Sequence, residues 1–178
     1  MQPNSVRLLR SDSPPHMATL ILLTGLSAMA MNIFLPSLPG MAAYFETEYR
    51  VLQLSVALYL GVNAIFQLIV GPLADKMGRR PVILWGVIIF LLATLGCIFA
   101  PNAEVFLIMR MCQATVAVAT VLSRAAVRDM FSQDQAASVL GYVTMGMAIV
   151  PMISPMIGGA LDTAFGWTAS FWLLLVLG

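Results

Sequence analysis

The sequence predicts an all-α membrane protein of six spans, and three observations lead there. Hydrophobic residues make up 60% of the 178 positions and charged residues only 10%, where a soluble domain carries about 25% charge; mean hydropathy is +0.92. The apolar residues fall into runs of roughly 20, and a helix rising about 1.5 Å per residue crosses a hydrocarbon core of about 30 Å in that length. The bases segregate: Arg7, Arg10, Lys76, Arg79, Arg80, Arg124 and Arg128 gather on one set of connections, with Arg50 alone on the other. That asymmetry predicts a cytoplasmic amino terminus.

In chain order, residues 1–16 are polar and read as a cytoplasmic tail, and residues 17–178 as the membrane domain. The first apolar run covers 17–39. A cleaved signal sequence is the rival reading, since Arg7 and Arg10 precede the run and Ala28-Met29-Ala30 resembles a cleavage site. The run continues through Leu38 and further spans follow, which favours an anchored helix. Residues 40–50 are expected as an outer loop, 51–72 as the second span, 82–100 as the third, and Ala100-Pro101-Asn102 as a turn with Pro101 opening the fourth, 103–124. The fifth span covers 136–159, residues 161–166 turn outside, and 167–178 begin a sixth span that the chain end cuts short.

Some classes of function drop out early. A net charge of +1 gives no basic surface for nucleic acid. His16, the single histidine, stands at a membrane boundary, and Cys97 and Cys112 lie in apolar runs as small hydrophobes, so no metal site or cofactor is expected. No nucleophile or carboxylate pair points to an enzyme.

The stretch with the densest information is 71–80, Gly-Pro-Leu-Ala-Asp-Lys-Met-Gly-Arg-Arg. It is expected as a tight charged hairpin, with Gly71 and Gly78 allowing the turn and Pro81 presetting the next helix. A positive-inside anchor explains the bases but not Asp75. The order G-x-L-x-D-x-x-G-R-R resembles the loop signature of the major facilitator superfamily. The resemblance implies a six-helix half of that fold, made of two inverted three-helix repeats. It also implies a gating role for Gly71, Asp75, Gly78, Arg79 and Arg80, with Asp129 joining by its place at the inner end of the fourth span. An internal echo agrees: Gly71-x-x-x-Asp75-x-x-Gly78 returns as Gly158-x-x-x-Asp162-x-x-x-Gly166 after the fifth span, on the opposite side.

Arg110 lies inside the fourth span, where a cation costs up to about 3 kcal/mol on insertion scales. It is expected to face the bundle interior and to have a partner; snorkelling to the outer interface is the alternative. Gln113, Ala117, Thr120 and Arg124 follow on the same helical face. Arg-x-x-Gln resembles the family's fourth-helix motif, which implies a part in proton coupling, although Ala114 replaces the usual Gly. In the second span Tyr59, Asn63 and Gln67 recur every four residues, a stripe that lines a wet cavity or bonds a neighbouring helix.

Asn32-Ile-Phe-Leu-Pro36-Ser-Leu-Pro39 is similar to the D-x-Y-L-P-x-x-P stretch of the bicyclomycin and chloramphenicol-resistance branch of drug/proton antiporters. Asn32 stands where that branch has an acid, and an amide releases no proton. Pro36 is a kink point. In the fifth span Pro151, Pro155, Gly158 and Gly159 resemble the antiporter motif, with Ser154 in place of a Gly; physically they are close-packing and hinge positions. Met145, Met152 and Met156 on this helix suit varied apolar ligands or simply fill space.

Together these features resemble the amino-terminal half of a drug-efflux transporter. The resemblance implies export of small apolar or amphiphilic compounds, protons as coupling ion, the bacterial inner membrane as location and a second six-helix half as partner. The alternative is a truncated, non-transporting membrane protein or a subunit that docks on other helices.

Overall fold

The computed structural model describes residues 17–130 and 133–178; the tail expected over 1–16 lies outside them. Among the described residues the secondary structure is helical throughout, and five spans are long and apolar enough to cross a membrane, with a shorter apolar helix, Thr168–Leu177, at the end.

The first span is broken, and its proline is the cause. Helix α1, Met17–Asn32, ends four residues before Pro36, whose missing N–H could not have bonded the Asn32 carbonyl. The chain takes one tighter turn over Leu35–Ser37, where the Ser37 N–H donates to the Phe34 carbonyl at 3.0 Å, and resumes as α2, Leu38–Tyr44. The outer loop expected at 40–50 therefore shrinks to 45–48.

Helix α3, Tyr49–Met77, and helix α4, Arg79–Ile98, are separated by Gly78 alone. The hairpin expected from Gly71 onward is corrected accordingly: Gly71 and Pro72 lie inside α3. A residue before proline is pushed out of the helical region partly by its Cβ, and Gly71 has none. The whole reversal falls on Gly78 at φ +88°, a conformation L side chains rarely adopt.

The fourth span consists of α5, Ala103–Gln113, a short tight turn at Ala114–Val116, and α6, Ala117–Met130. The Asn102 side chain, not Pro101, starts it, accepting the Val105 N–H at 2.9 Å. Helix α7, Gln133–Phe165, continues without interruption past Pro151 and Pro155. It also absorbs most of the turn expected at 161–166, leaving Gly166 (φ +82°) to end it before α8, Thr168–Leu177.

The α5–α6 span is the centre of the bundle. Of its most apolar window 61% is buried, against 17% for α3 and 11% for α7. On one side Phe34, Phe90, Phe106, Trp167 and Phe171 form a core joining α4, α5, α8 and the break after α1. Phe106 and Phe171 meet edge to face at 5.7 Å. On the other, Val70, Ala74, Val82, Val118 and Leu122 close α3 and α4 onto α6.

Candidate functional site

Three of these elements converge on Arg110, which is 1% exposed and the largest fully buried side chain described. Its place follows from the face of α5 it stands on: Ala103, Phe106, Arg110 and Gln113 are buried, whereas Glu104, Ile108 and Cys112 on the opposite face are exposed. The expectation that Arg110 faces inward is met, but its partners are neutral. One guanidinium nitrogen donates to Gln113 Oε1 at 2.5 Å, another to the carbonyl of Ala30 at 3.0 Å. The flat faces lie against two rings, Phe34 at 4.1 Å and Tyr59 at 4.5 Å from the guanidinium carbon. Cation–π contacts of this kind gain strength when desolvated.

Gln113 is itself held: its Nε2 donates to Thr94 Oγ1 at 2.6 Å, and the Thr94 hydroxyl donates to the Phe90 carbonyl at 2.7 Å. Thr94 thus fixes which end of the amide faces Arg110. The relay runs from α4 through α5 to α1, and two buried polar atoms within it lack a hydrogen bond of good geometry, Arg110 Nε and the Tyr59 hydroxyl.

The stripe on α3 continues from there. Tyr59 is buried, Asn63 half-buried and Gln67 exposed, and Gln67 Nε2 donates to Asn63 Oδ1 at 2.6 Å. Asn32 makes no hydrogen bond to this relay: its Nδ2 donates within its own helix to the Ala28 carbonyl at 2.8 Å, two residues before the Ala30 carbonyl that Arg110 uses.

Gly158 and Gly159 of α7 meet the break in the first span. A Cβ on Gly158 would fall on the Ile33 carbonyl, while one on Gly159 would make ordinary contact with Pro36 at 3.7 Å. The Ile33 carbonyl therefore rests on the bare Cα of Gly158, the kind of close Cα–H···O approach that helix pairs use. Ser154, in place of a glycine, turns its hydroxyl back to the Val150 carbonyl at 2.6 Å.

At the α3–α4 end, Asp75 is exposed on the last turn of α3, and Arg79 and Arg80 open α4. Among the described residues the ion pair is Arg50–Glu48 at 2.9 Å, and Asp75 enters none. The Asp129 side chain lies outside what the structure describes, so the network expected between it and the arginines is not placed. Gly71 is open to its surroundings, with nothing within 4 Å of a Cβ there.

Sequence reasoning missed Thr94, Phe34 and the Ala30 carbonyl. Thr94 and Phe34 are single residues in apolar runs and carry no periodic signal. A carbonyl carries none at all.

The sequence profile of the Major Facilitator Superfamily matches residues 20–178. Multidrug resistance protein D of Escherichia coli is 35% identical over 159 residues, covering 89% of this chain and 40% of that protein. The chloramphenicol resistance protein of Pseudomonas aeruginosa is 36% identical, covering 86% and 38%. A bicyclomycin resistance protein homologue of Haemophilus influenzae is 32% identical, covering 90% and 40%. The chain thus spans about 40% of the length of these relatives. With that match over nearly its whole length, on an all-helical bundle of membrane spans, the chain belongs to the Major Facilitator Superfamily.

Proposed function

We propose that the chain is the amino-terminal half of an exporter of small apolar or amphiphilic compounds, with residues 17–178 as its six-helix domain and 1–16 as a cytoplasmic tail. The observation that carries this reading is the buried Arg110 relay, in a family member whose relatives include proteins named for drug resistance. A guanidinium held at the meeting of the first, second and fourth spans has no structural necessity, because an apolar side chain would fill the volume without the desolvation cost. Its retention in a lipid-embedded bundle marks a functional position.

In this reading substrate lies against the faces of α3 and α7 that the bundle leaves bare, and a second six-helix half closes over it. The greater length of the relatives supports that partner. Proton entry drives export, as the family resemblance implies. Asn32 cannot carry the proton, so the titrating carboxylate belongs to the second half. Asp75, Gly78, Arg79 and Arg80, at the one-residue reversal between α3 and α4, act as the inner latch, with Asp129 as a further member.

The test is drug resistance of cells expressing the complete reading frame. Arg110→Ala is expected to abolish resistance while the protein still reaches the membrane. Arg110→Lys, which keeps the charge but loses the planar fork, is expected to recover part of it. Parental resistance in the alanine variant would overturn the reading.

A further inference from the structure

We propose that the site on this half selects its ligands by the sign of their charge, favouring lipophilic anions over lipophilic cations of the same size. The proposal rests on the export reading above and names the substrate class of that same site.

The first observation is an uncancelled charge. Every partner of Arg110 is neutral: an amide oxygen, a backbone carbonyl and two aromatic faces. Neutral dipoles stabilise a guanidinium without removing its field. The eight carboxylates of the sequence are Asp12, Glu46, Glu48, Asp75, Glu104, Asp129, Asp134 and Asp162. Asp12 precedes the first span, Glu46 and Glu48 sit between α2 and α3, and the rest fall within the first or last four residues of their helices. None stands in the middle of a span. Arg124, at the end of the fourth span on α6, is exposed and meets the thioether of Met147 at 3.2 Å.

The second observation is that this charge has an outlet. Arg110 Nε and the Tyr59 hydroxyl are buried without a good hydrogen bond. From Tyr59 the face of α3 leads outward through Asn63 to the exposed Gln67, all neutral polar groups. Eight residues of helix are about 12 Å, so a molecule lying on this stripe comes within roughly 10 Å of the guanidinium without touching it. At about 10 Å and an effective dielectric near 20, a unit charge changes affinity about tenfold. The change favours an anion and disfavours a cation.

Tetraphenylborate and tetraphenylphosphonium are nearly the same size and shape and differ in sign. The test is equilibrium dialysis of each against the 178-residue chain in uncharged nanodiscs, with empty discs subtracted. Saturable tetraphenylborate binding is expected, about a hundredfold tighter than tetraphenylphosphonium, since the anion gains about tenfold and the cation loses about tenfold. Arg110→Lys should keep this preference and Arg110→Gln should remove it. The comparison of the two ions on the parent chain stands even if the glutamine variant does not fold. Equal binding of the two ions, tighter binding of the cation, no saturable binding of either, or a preference that persists in folded Arg110→Gln would each overturn the proposal. A resistance panel on the complete reading frame separates the two claims. Resistance to tetraphenylphosphonium with no anion preference in the discs sinks charge selection and leaves export standing. An anion preference in the discs with resistance to no compound does the reverse.

Discussion

A guanidinium in an apolar bundle loses its hydration, and the effective penalty is several kcal/mol unless hydrogen bonds replace it. At Arg110 the replacement is a sequence of neutral groups in series: Gln113 faces the cation, Thr94 faces Gln113, and the Phe90 carbonyl receives the Thr94 hydroxyl. Because Thr94 acts only through Gln113, removing it should matter less once Gln113 is gone. Gln113→Leu is expected to cost about 2 kcal/mol, the scale of a bond to a charged group. Thr94→Val is expected to cost about 1 kcal/mol. The double variant should fall short of their sum by a measurable coupling. Reversible unfolding in mixed micelles measures all three, and strict additivity would refute the relay. The legible part of this site is the part with a period. Arg110 and Gln113 share a helical face three residues apart, whereas Thr94 stands alone in an apolar run.

Between elements, a close approach joins α7 to the interruption of the first span. Pro36 was readable as a kink point, and Gly158 as a close-packing position. That one faces the other was not, since nothing in a sequence registers two helices against each other. The geometry now separates two adjacent glycines that look equivalent in the sequence. A Cβ at Gly158 meets a backbone carbonyl, which cannot rotate away; at Gly159 it meets Pro36 at ordinary contact distance. Gly158→Ala should therefore lower the melting temperature in detergent by several degrees, an effect of about 2 kcal/mol from forced separation of packed helices. Gly159→Ala should be neutral or slightly stabilising, since alanine is favoured over glycine in helices by up to about 1 kcal/mol. The reverse order would mean the two spans do not touch at this register. The hairpin expected at 71–80 begins later in the structure for a related reason. Gly-Pro reads as a breaker in soluble chains, but Gly71 lacks the Cβ that makes the pre-proline position reject the helix. The turn therefore waits for Gly78.

At the scale of the molecule, the two halves of the chain repeat a device. Helix α3 ends at Gly78 and helix α7 at Gly166, both with positive φ, and each glycine N–H donates back at 2.9 Å, to the carbonyls of Ala74 and Asp162. Each stop lies three or four residues after an aspartate. In a pair of inverted three-helix units the corresponding stops fall on opposite faces of the membrane. The helices fix the parity: between Gly78 and Gly166 lie α4, the α5–α6 span and α7, three crossings in all. An odd number puts the two glycines on opposite sides whichever way the chain is inserted. The bases then choose the absolute direction, since Lys76, Arg79 and Arg80 cluster at the first stop and no base lies near the second. The chain should therefore hold the α3–α4 reversal in the cytoplasm and the α2–α3 connection outside. Met77 and Glu48 are both exposed, one at each end of α3, so single cysteines at these positions report the two sides directly. In a background with Cys97 and Cys112 replaced by alanine, a membrane-impermeant maleimide added to intact cells should label Glu48→Cys and spare Met77→Cys until the membrane is opened. Labelling of both from outside would break the parity argument at α3 itself. Labelling of Met77→Cys alone would keep the parity and reverse the direction, leaving the bases without the role assigned to them.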